Sequence, residues 1–189
     1  ILLVIAGAVY LLTRKENSSN NEESKEISYK TIDMVTNIRM GISNFDSIHP
    51  YQTNNQEVIY INQLIFEPLL SISEDYRISM CLAEEWSRVN EKTYIVKLKE
   101  NVKWHDDNNF TSEDVNRLQN QTESIFYQNV KNIKNVEVID KYTIRIELKE
   151  EEAFFEYNLI FPIVSSKQYK NKSFNYTSTP VGTGKYKIT

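Results

Sequence analysis

Alternating apolar and polar residues predict strands in the middle of the chain. Residues 93–98 place every second side chain on one apolar side, which is the period of a half-buried strand. Residues 136–139 and 142–148 are the predicted arms of a hairpin, with a two-residue turn at 140–141 and every second residue of the second arm apolar. The turn contains no glycine, so the prediction of a hairpin rests on its strands more than on its turn.

A helical period is clearest in residues 56–66. Val58, Ile61 and Ile65 fall on one face of a helix there, and Pro68 ends it. We therefore predict a helix over residues 56–66 that buries this apolar face against the rest of the domain.

Shorter elements complete the predicted fold. Residues 111–114 resemble a capping box, so a helix is expected to start there and to run to about residue 123. Residues 153–160 predict another short helix, and residues 34–42 and 186–188 predict a first and a last strand. Mixed strands and helices in this order indicate an α/β or α+β domain.

The start of the chain has the composition of a membrane segment. Residues 1–12 carry no charge but would form a helix of only roughly 18 Å, and residues 16–27 are polar without an apolar period. Because the chain starts at Ile1 inside an apolar run and stops at Thr189 just after a predicted strand, we expect both ends to be cut. We predict a truncated transmembrane anchor or signal segment at 1–13, a flexible linker at 14–28 and the folded domain, truncated at its end, at 29–189.

Charge and cysteine content remove several classes of function. The formal net charge is −4 and the pI is about 5.4, so no basic face is available to nucleic acid. Cys81 is the only cysteine, which excludes an internal disulfide. Its apolar neighbours predict a small buried side chain rather than a reactive thiol.

Residues 104–107 contain a histidine beside carboxylates, which invites a catalytic interpretation. His105 could be oriented by Asp106 as a general base, but no serine or cysteine nucleophile sits in a recognisable turn. His49 could meet Asp46 and Asp106 in space, but two isolated histidines do not form a zinc motif. We predict no catalytic residue, no metal site and no cofactor, and interpret residues 104–107 as a polar loop.

Two other patterns have both a functional and a structural interpretation. Residues 182–184 resemble part of a phosphate loop but lack its other glycines and the following helix, so we interpret them as a turn that needs glycine's backbone freedom. Trp86, Trp104 and Phe110 could stack on a ligand, but aromatic residues spaced along strands are more typical of a core.

The order of these motifs resembles a known family. Four ordered blocks carry the match: residues 44–50 with 64–70 (NFDSIHP and LIFEPLL), 82–86 (LAEEW), 96–115 (VKLKENVKWHDDNNFTSEDV) and 180–186 (PVGTGKY). In this order they resemble the family 5 extracellular solute-binding proteins, the peptide- and nickel-binding components of ABC importers. The resemblance covers about residues 35–189.

Three departures from the family pattern fall in turns. Asn101 and Asp107 stand where glycine is usual, and Lys185 stands where proline is usual. Asparagine is the best non-glycine substitute in a left-handed turn. The departures therefore predict local turn variation and leave the fold unchanged.

The resemblance implies a periplasmic-binding-protein-like class II fold, in which two mixed α/β lobes close on a solute about a hinge. Only the first lobe and its extra subdomain would be present here. The implied function is not enzymatic: the protein would capture a peptide or a similar small solute and deliver it to ABC permease subunits in the membrane. A membrane-tethered module that senses a ligand with the same fold is the alternative.

The resemblance also implies solute contacts and a location. The loop after Pro50 is expected to contact the solute through main-chain and amide hydrogen bonds from Thr53, Asn54, Asn55 and Gln56. A plain surface loop is the competing interpretation. The expected location is the cell membrane, where the N-terminal helix would anchor the binding domain on the extracytoplasmic face.

Overall fold

A computed structural model of the chain describes residues 37–43, 46–116, 118, 124–167 and 179–188. The chain divides into a unit of residues Ile1–Arg39 and a unit of residues Met40–Thr189, and every element given below belongs to the second unit. The predicted segments at 1–13 and 14–28 lie outside the described residues.

Helices and strands alternate along the described chain in mixed order. In sequence they are α1 (Gln56–Ile65), β1 (Leu70–Ile72), β2 (Ile78–Met80), β3 (Ala83–Asn90), β4 (Thr93–Leu98), α2 (Ser112–Val115), α3 (Tyr127–Val130), β5 (Ile133–Asp140), β6 (Thr143–Leu148) and a 3-10 helix (Phe155–Leu159). The predicted helix at 56–66, the strand at 93–98 and the hairpin strands are confirmed.

A four-stranded antiparallel sheet forms one side of the core and contributes nine of the 25 buried residues in the core cluster of the described chain. Its strand order is β3-β4-β6-β5, so two hairpins lie side by side and pair through β4 and β6. Residues Tyr94, Val96 and Leu98 of β4 and Ile144 and Ile146 of β6 face one side and are at most 2% exposed. Burial of this apolar face is the main stabilising contribution of the sheet.

The opposite face of the sheet is charged and exposed. Lys97 pairs with Glu84 at 3.1 Å, and Arg145 pairs with Glu137 at 2.7 Å. Side chains exposed by about half contribute little to stability through such pairs. The alternation of burial along the central strands β4 and β6 reflects one buried and one more exposed face.

The turn between β5 and β6 falls one residue later than predicted. Asp140 pairs with Thr143, so Lys141 and Tyr142 form the turn instead of residues 140–141. The Asp140 carboxylate accepts a hydrogen bond from the Tyr142 N–H at 2.8 Å. This side-chain bond supports the turn without a glycine.

Asp114 joins α2 to two distant segments. Its Oδ2 accepts hydrogen bonds from the Thr111 N–H at 3.0 Å and from the Trp104 indole N–H at 3.3 Å, and its Oδ1 accepts from the Ser166 N–H at 2.8 Å. The predicted cap at residues 111–114 is confirmed, although the regular helix ends at Val115. Residues 119–123, where the helix was predicted to continue, lie outside the described part of the chain.

Three predicted elements take another form. Residues 37–43 and 186–188 form no strand, and residues 155–159 form a 3-10 helix within the predicted helix at 153–160. Residues 37–43 are exposed and have no strand partner among the described residues, so their short apolar alternation is not stabilised by a sheet. The Tyr186 N–H donates to the Leu64 carbonyl of α1 instead of joining a ladder.

The two non-glycine turn residues adopt the backbone that glycine usually supplies. Asn101 has φ 62° and Asp107 has φ 64°, both in the left-handed region. The departures from the family pattern at Asn101 and Asp107 are thus variations within turns.

Candidate functional site

A cavity of about 410 Å³ opens beside α1. Its first wall is one side of α1, formed by Ile59, Asn62, Gln63 and Phe66 at the helix end. Proline and strand residues continue the wall after the helix, with Pro68, Ser71 and Ile72. Segments far apart in the sequence close it with Pro50, Phe126, Ile160 and Pro162.

Main-chain contacts hold the distant segments in place around the cavity. Pro68 forms an antiparallel bridge with Pro162, and the Ile163 N–H donates to the Glu67 carbonyl at 2.9 Å. The Tyr51 hydroxyl donates to the Pro162 carbonyl at 2.7 Å. These bonds hold the backbone of the distant segments together around the cavity.

An aromatic cluster supports the same wall from behind. The rings of Tyr51, Phe126 and Phe161 lie 5.3–6.1 Å apart between centroids, in edge and stacked arrangements. Tyr51 and Phe161 are buried. Such pairs add to the stabilisation from area burial alone, and they make the Phe126 side of the cavity rigid.

Asn62 is the unusual member of the cavity lining. Its side chain is on the buried face of α1 with Val58 and Ile65, and the residue is 2% exposed. Neither its amide nitrogen nor its amide oxygen has a hydrogen-bond partner among the described residues. Leaving such a buried group unsatisfied costs about 1–3 kcal/mol, so a native structure rarely keeps one without a reason.

The C-terminal end of α1 is fixed by residues 182–186. The Gly184 N–H donates to the Ile65 carbonyl at 2.8 Å, and the Tyr186 N–H donates to the Leu64 carbonyl at 3.3 Å. These carbonyls belong to the last turn of the helix, where no intrahelical N–H is available. A Cβ atom on Gly182 would overlap the Ile65 carbonyl oxygen.

The need for glycine at residues 182–184 therefore arises from close approach of two backbones. Neither Gly182 nor Gly184 has a positive φ, so the backbone freedom of glycine that the sequence interpretation invoked for this turn is not what these positions use. A Cβ on Gly184 would lie 2.5 Å from the Leu64 carbonyl oxygen. The two glycines let this segment lie directly on the helix that carries Asn62.

His105 holds the same segment from its other side. Its Nε2 lies 2.7 Å from the Gly184 carbonyl oxygen, the Gly182 N–H donates to its Nδ1 at 3.3 Å, and its own N–H donates to the Gly182 carbonyl at 2.9 Å. Nδ1 is thus an acceptor, which assigns the ring proton to Nε2. These contacts support the interpretation of residues 104–107 as structural.

His49 lies in the loop before α1 and is 5% exposed. Its Nδ1 accepts a hydrogen bond from the Tyr51 N–H at 3.1 Å. Burial lowers the pKa of His49 from 6.5 to about 4, because the charged imidazolium is poorly solvated there. The side chain is therefore neutral at pH 7 and contributes to the loop as a packed, hydrogen-bonded group.

The four predicted solute-contact residues lie at the start of α1. Thr53 is buried and its hydroxyl donates to Asp46 Oδ1 at 2.7 Å, and the Asn54 N–H donates to Asp46 Oδ2 at 2.7 Å. Asn55 caps α1, since its side-chain oxygen accepts from the next N–H groups of the helix. Gln56 and the Asn54 side chain are exposed.

The cavity lining that the structure describes contains none of these four residues. The Asn54 N–H, with the Thr53 hydroxyl, lowers the pKa of Asp46 to about 2, so Asp46 is ionised and holds the loop closed at neutral pH. The structure thus gives Thr53 and Asn55 roles in the loop and helix cap. Their contact with a solute stays a prediction.

The remaining candidate residues lie in structural positions. Trp104 and Phe110 are buried, and Trp86 is partly buried and stacks on Tyr94 at 4.6 Å between centroids. Burial raises the pKa of the Cys81 thiol to about 11, which makes this residue a poor nucleophile. No group of three histidine, cysteine or acidic side chains suited to a metal ion occurs in the part of the chain that the structure describes.

A polar residue on an otherwise apolar helix face was the signal that the sequence interpretation missed. Asn62 follows Val58 by four residues and precedes Ile65 by three, so it lies on the predicted buried face of α1. A buried polar residue is more informative than another apolar one. The polar residue in the apolar pattern of residues 56–66 therefore indicated an unusual position on α1, which the structure places beside the cavity.

Residues 77–189 match the profile of the family described as "Bacterial extracellular solute-binding proteins, family 5 Middle". The match covers more than half of the chain and includes the strands of the sheet and the clamp formed by His105 with residues 182–184. The chain belongs to this family. Because its members are solute-binding proteins, the prediction that the chain is not part of an enzyme is confirmed.

Similar proteins and structures agree with the family assignment. Glutathione-binding protein GsiB of Escherichia coli (strain K12) is 27% identical over 155 residues, which cover 77% of this chain and 30% of the relative. The structure of NikZ from Campylobacter jejuni in complex with Ni(L-His) has a TM-score of 0.68 and 26% identity, covering 78% of this chain and 31% of NikZ. The putative peptide-binding protein AppA from Clostridium difficile has a TM-score of 0.61 and 26% identity, covering 76% and 31%.

The chain thus spans about 30% of the length of the curated relatives it matches. Over that span its mixed helix and strand architecture matches part of a solute-binding protein fold. This confirms the coarse fold prediction, with the qualification that the main sheet is antiparallel throughout, as in an α+β domain.

The predicted location at the cell membrane is wrong, because the matched family is that of extracellular solute-binding proteins. Among the described residues, no helix is both long enough and apolar enough to span a bilayer. Residues 1–13, on which the predicted anchor rested, lie outside those residues.

Proposed function

We propose that the cavity beside α1 is the solute-contacting surface of one lobe of a transport receptor. The receptor captures a peptide or a similar small solute and delivers it to the permease of an ABC importer. The observation that carries the proposal is the cavity itself: eight apolar residues and three uncharged polar residues line it, and one of these, Asn62, has a buried amide without a partner among the described residues. Solute sites in proteins have this mostly apolar, concave form with few polar groups.

A peptide is favoured over a metal complex as the solute. GsiB is a glutathione-binding protein and AppA a putative peptide-binding protein, whereas NikZ holds Ni(L-His). The described cavity lining has no carboxylate, imidazole or thiol that would complete a metal's coordination. Uncharged amide and apolar side chains suit the main chain and side chains of a peptide instead.

Closure by a second lobe completes the proposed mechanism. The cavity is open on one side, and relatives about three times as long contain further residues that match nothing in this chain. Capture between two lobes about a hinge would bury the solute and expel water from the cavity. The clamp of His105 and residues 182–184 would keep α1 rigid during this motion, so the lobe moves as one body.

Of the four residues predicted to contact the solute, the proposal keeps Asn54 and Gln56 as contacts and gives Thr53 and Asn55 a supporting role. Asn54 and Gln56 are the exposed members, and Thr53 is buried against Asp46. Side-chain contact is therefore proposed for Asn54 and Gln56. The contribution of Thr53 and Asn55 is to hold the loop and the start of the helix.

Native mass spectrometry of the whole protein, purified without denaturant, tests the proposal. A bound peptide is the expected finding, and thermal shift with glutathione, with the dipeptide Met-Leu and with the nickel–histidine complex compares the solute classes. At a concentration of 100 times Kd, a peptide stabilises the protein by about 3 kcal/mol, which raises Tm by several degrees. A protein that carries no peptide and responds to nickel–histidine alone would contradict the proposed solute class.

A further inference from the structure

Three exposed aromatic side chains lie close to the cavity but outside its lining. They are Tyr76, Phe154 and Tyr157, which are 81%, 74% and 37% exposed, and we call them the aromatic rim. We infer that the aromatic rim binds the positively charged side chain of an arginine or lysine in a peptide solute whose apolar part occupies the cavity. The inference rests on the proposed function and specifies which peptides the lobe favours.

Two direct contacts make the aromatic rim one surface. The rings of Phe154 and Tyr157 lie 6.3 Å apart between centroids, in an edge-to-face arrangement. The Tyr157 hydroxyl donates to the Tyr76 carbonyl at 3.3 Å. These contacts bring the turn between β1 and β2, which carries Tyr76, against the 3-10 helix.

The aromatic rim is continuous with the cavity. Tyr157 and Ile160 are three residues apart, and because a 3-10 helix repeats every three residues, they fall on the same side of it. Ile72 ends β1 four residues before Tyr76. Ile72 and Ile160 line the cavity and are themselves exposed. A peptide that occupies the cavity therefore needs only a short extension to reach the rim.

The backbone directs one ring of the rim into solvent. Phe154 has φ 58°, in the left-handed region that a bulky side chain seldom adopts. The next residue, Phe155, is fully buried, so the chain separates one ring for the core from one for the surface. The exposed ring gains no burial from this conformation. Adjoining exposed apolar side chains of this kind are typical of an interaction surface.

The segments that carry the aromatic rim are acidic. Residues 74–77 and 149–157 contain six carboxylates and two cations, a formal net charge of −4 that equals the formal net charge of the whole chain. Glu74 and Glu156, next to rim residues in the sequence, form no ion pair with any residue that the structure describes. Such a charge distribution attracts a cation and repels an anionic group.

Aromatic rings and carboxylates together favour a basic side chain over an uncharged or acidic one. A guanidinium or ammonium group is attracted to the face of tyrosine or phenylalanine within about 6 Å of the ring centroid. Its methylene stem covers apolar surface at the same time. The described cavity lining contains no ionisable side chain, so a charge of the solute is better accommodated at the rim than in the cavity.

Isothermal titration of the whole protein with two pairs of tetrapeptides tests the inference. Each peptide is tri-leucine extended at one end, by arginine in one member of the pair and by citrulline, an uncharged side chain of similar shape, in the other. For one of the two ends, the arginine peptide is expected to bind about fivefold more tightly, because only arginine offers a cation to the rim. Equal affinities within both pairs would overturn the inference.

Two variants test whether the cation lies at the rim. Phe154→Leu removes a ring and Glu156→Gln removes a carboxylate, and each is expected to reduce the preference for arginine to about twofold. Glu100→Gln is the matched control, because it removes the same charge from an exposed position after β4 and should leave the preference intact. A preference kept in both rim variants, or reduced as much in the control, would overturn the inference.

Tri-leucine itself separates this inference from the proposed function. If tri-leucine binds the wild-type protein but arginine and citrulline peptides do not differ, the inference is overturned while the proposed function stands. If none of the peptides binds, the proposal that the cavity takes peptides fails, and the inference fails with it. Circular dichroism and Tm values equal to those of wild type exclude misfolding as the cause of a changed preference in the variants.

Discussion

The four-stranded sheet and the cavity beside α1 differ in how completely their apolar side chains are buried and their polar atoms are hydrogen-bonded. On the buried face of the sheet, Val96, Leu98, Ile144 and Ile146 are at most 1% exposed. Around the cavity, by contrast, Asn62 has a buried amide without a described partner, and the apolar side chain of Ile72 is 43% exposed. The sheet is arranged for stability, whereas the cavity leaves apolar surface such as that of Ile72 exposed, and a solute can cover it.

This difference indicates that the sheet mainly stabilises the domain and that the cavity mainly serves binding. Proteins tolerate unsatisfied polar groups and exposed apolar surface mainly where binding needs them. Substitutions in the sheet should therefore lower stability without a specific effect on binding. Substitutions at the cavity should affect binding and can raise stability.

The largest expected loss of stability comes from a substitution in the buried face of the sheet. Ile144→Ala removes a fully buried side chain from the central strand β6 and leaves a cavity, so the free energy of unfolding should fall by about 4 kcal/mol. Denaturant unfolding of the whole protein measures this change. Val89→Ala is the control: Val89 is in β3 and 60% exposed, and a change within about 0.5 kcal/mol is expected.

Loss of stability from Val89→Ala as large as that from Ile144→Ala would show that the described core is not where the domain buries its apolar surface. It would also remove the distinction between the stabilising sheet and the functional cavity.

Acidification should lower the free energy of unfolding because His49, in the loop before α1, is buried in its neutral form. Its pKa is about 4 in the folded chain and 6.5 when unfolded, so the unfolded chain binds a proton first as pH falls. Its stabilising contribution is complete above pH 6.5 and is lost by pH 4, by about 3 kcal/mol in total. Denaturant unfolding of wild type and of His49→Gln between pH 7 and pH 4.5 measures it.

The difference between the two proteins isolates His49 from carboxylates that titrate at lower pH, such as Asp46. The His49→Gln protein should show a flatter dependence of stability on pH over this range. Parallel curves for the two proteins would mean that His49 is solvated in solution.

The contact between residues 182–184 and α1 predicts a smaller, position-specific effect. Gly182→Ala places a methyl group on the Ile65 carbonyl oxygen and should cost about 1–3 kcal/mol, because backbone must move. Gly41→Ala is its control, since no atom lies within 4 Å of the added methyl group. A shift in Tm for Gly182→Ala alone is the expected result, and equal shifts in both variants would contradict the close approach.

The smallest predicted effect has the opposite sign. Asn62→Leu replaces an unsatisfied amide with an apolar side chain of similar size, so the solute-free protein should gain about 1 kcal/mol of stability. Chemical denaturation after exhaustive dialysis against denaturant, to remove solute, followed by refolding measures this gain. A loss of stability instead would indicate that Asn62 has a partner outside the described residues.

The regular elements of the fold were predictable from the sequence because their signals are local. Alternation in residues 93–98 and 142–148 and the helical period in 56–66 report which face each element buries. Residues 186–188 also alternate, yet they form no strand. The Tyr186 N–H bonds instead to the Leu64 carbonyl at the end of α1, and no local pattern could report this long-range contact.

The cavity could not be predicted because it depends on contacts between distant residues. Pro50 and Pro162 both line it, although they lie far apart in the sequence, and Pro162 is held there by its bridge with Pro68 and by the Tyr51 hydroxyl. The resemblance to the family directed attention to residues 53–56, which lie one turn or more before Asn62. The one local signal in the sequence was a polar residue, Asn62, on an apolar helix face. Its position beside the cavity is known only from the structure.

Hydrogen–deuterium exchange of the whole protein, with and without saturating tri-leucine, tests most directly whether the cavity is the solute site. Our account predicts the largest slowing of exchange in peptides that cover residues 59–72, which supply one wall of the cavity, and little change in the β5–β6 hairpin at residues 133–148. Saturated binding with unchanged exchange across residues 59–72 would contradict it.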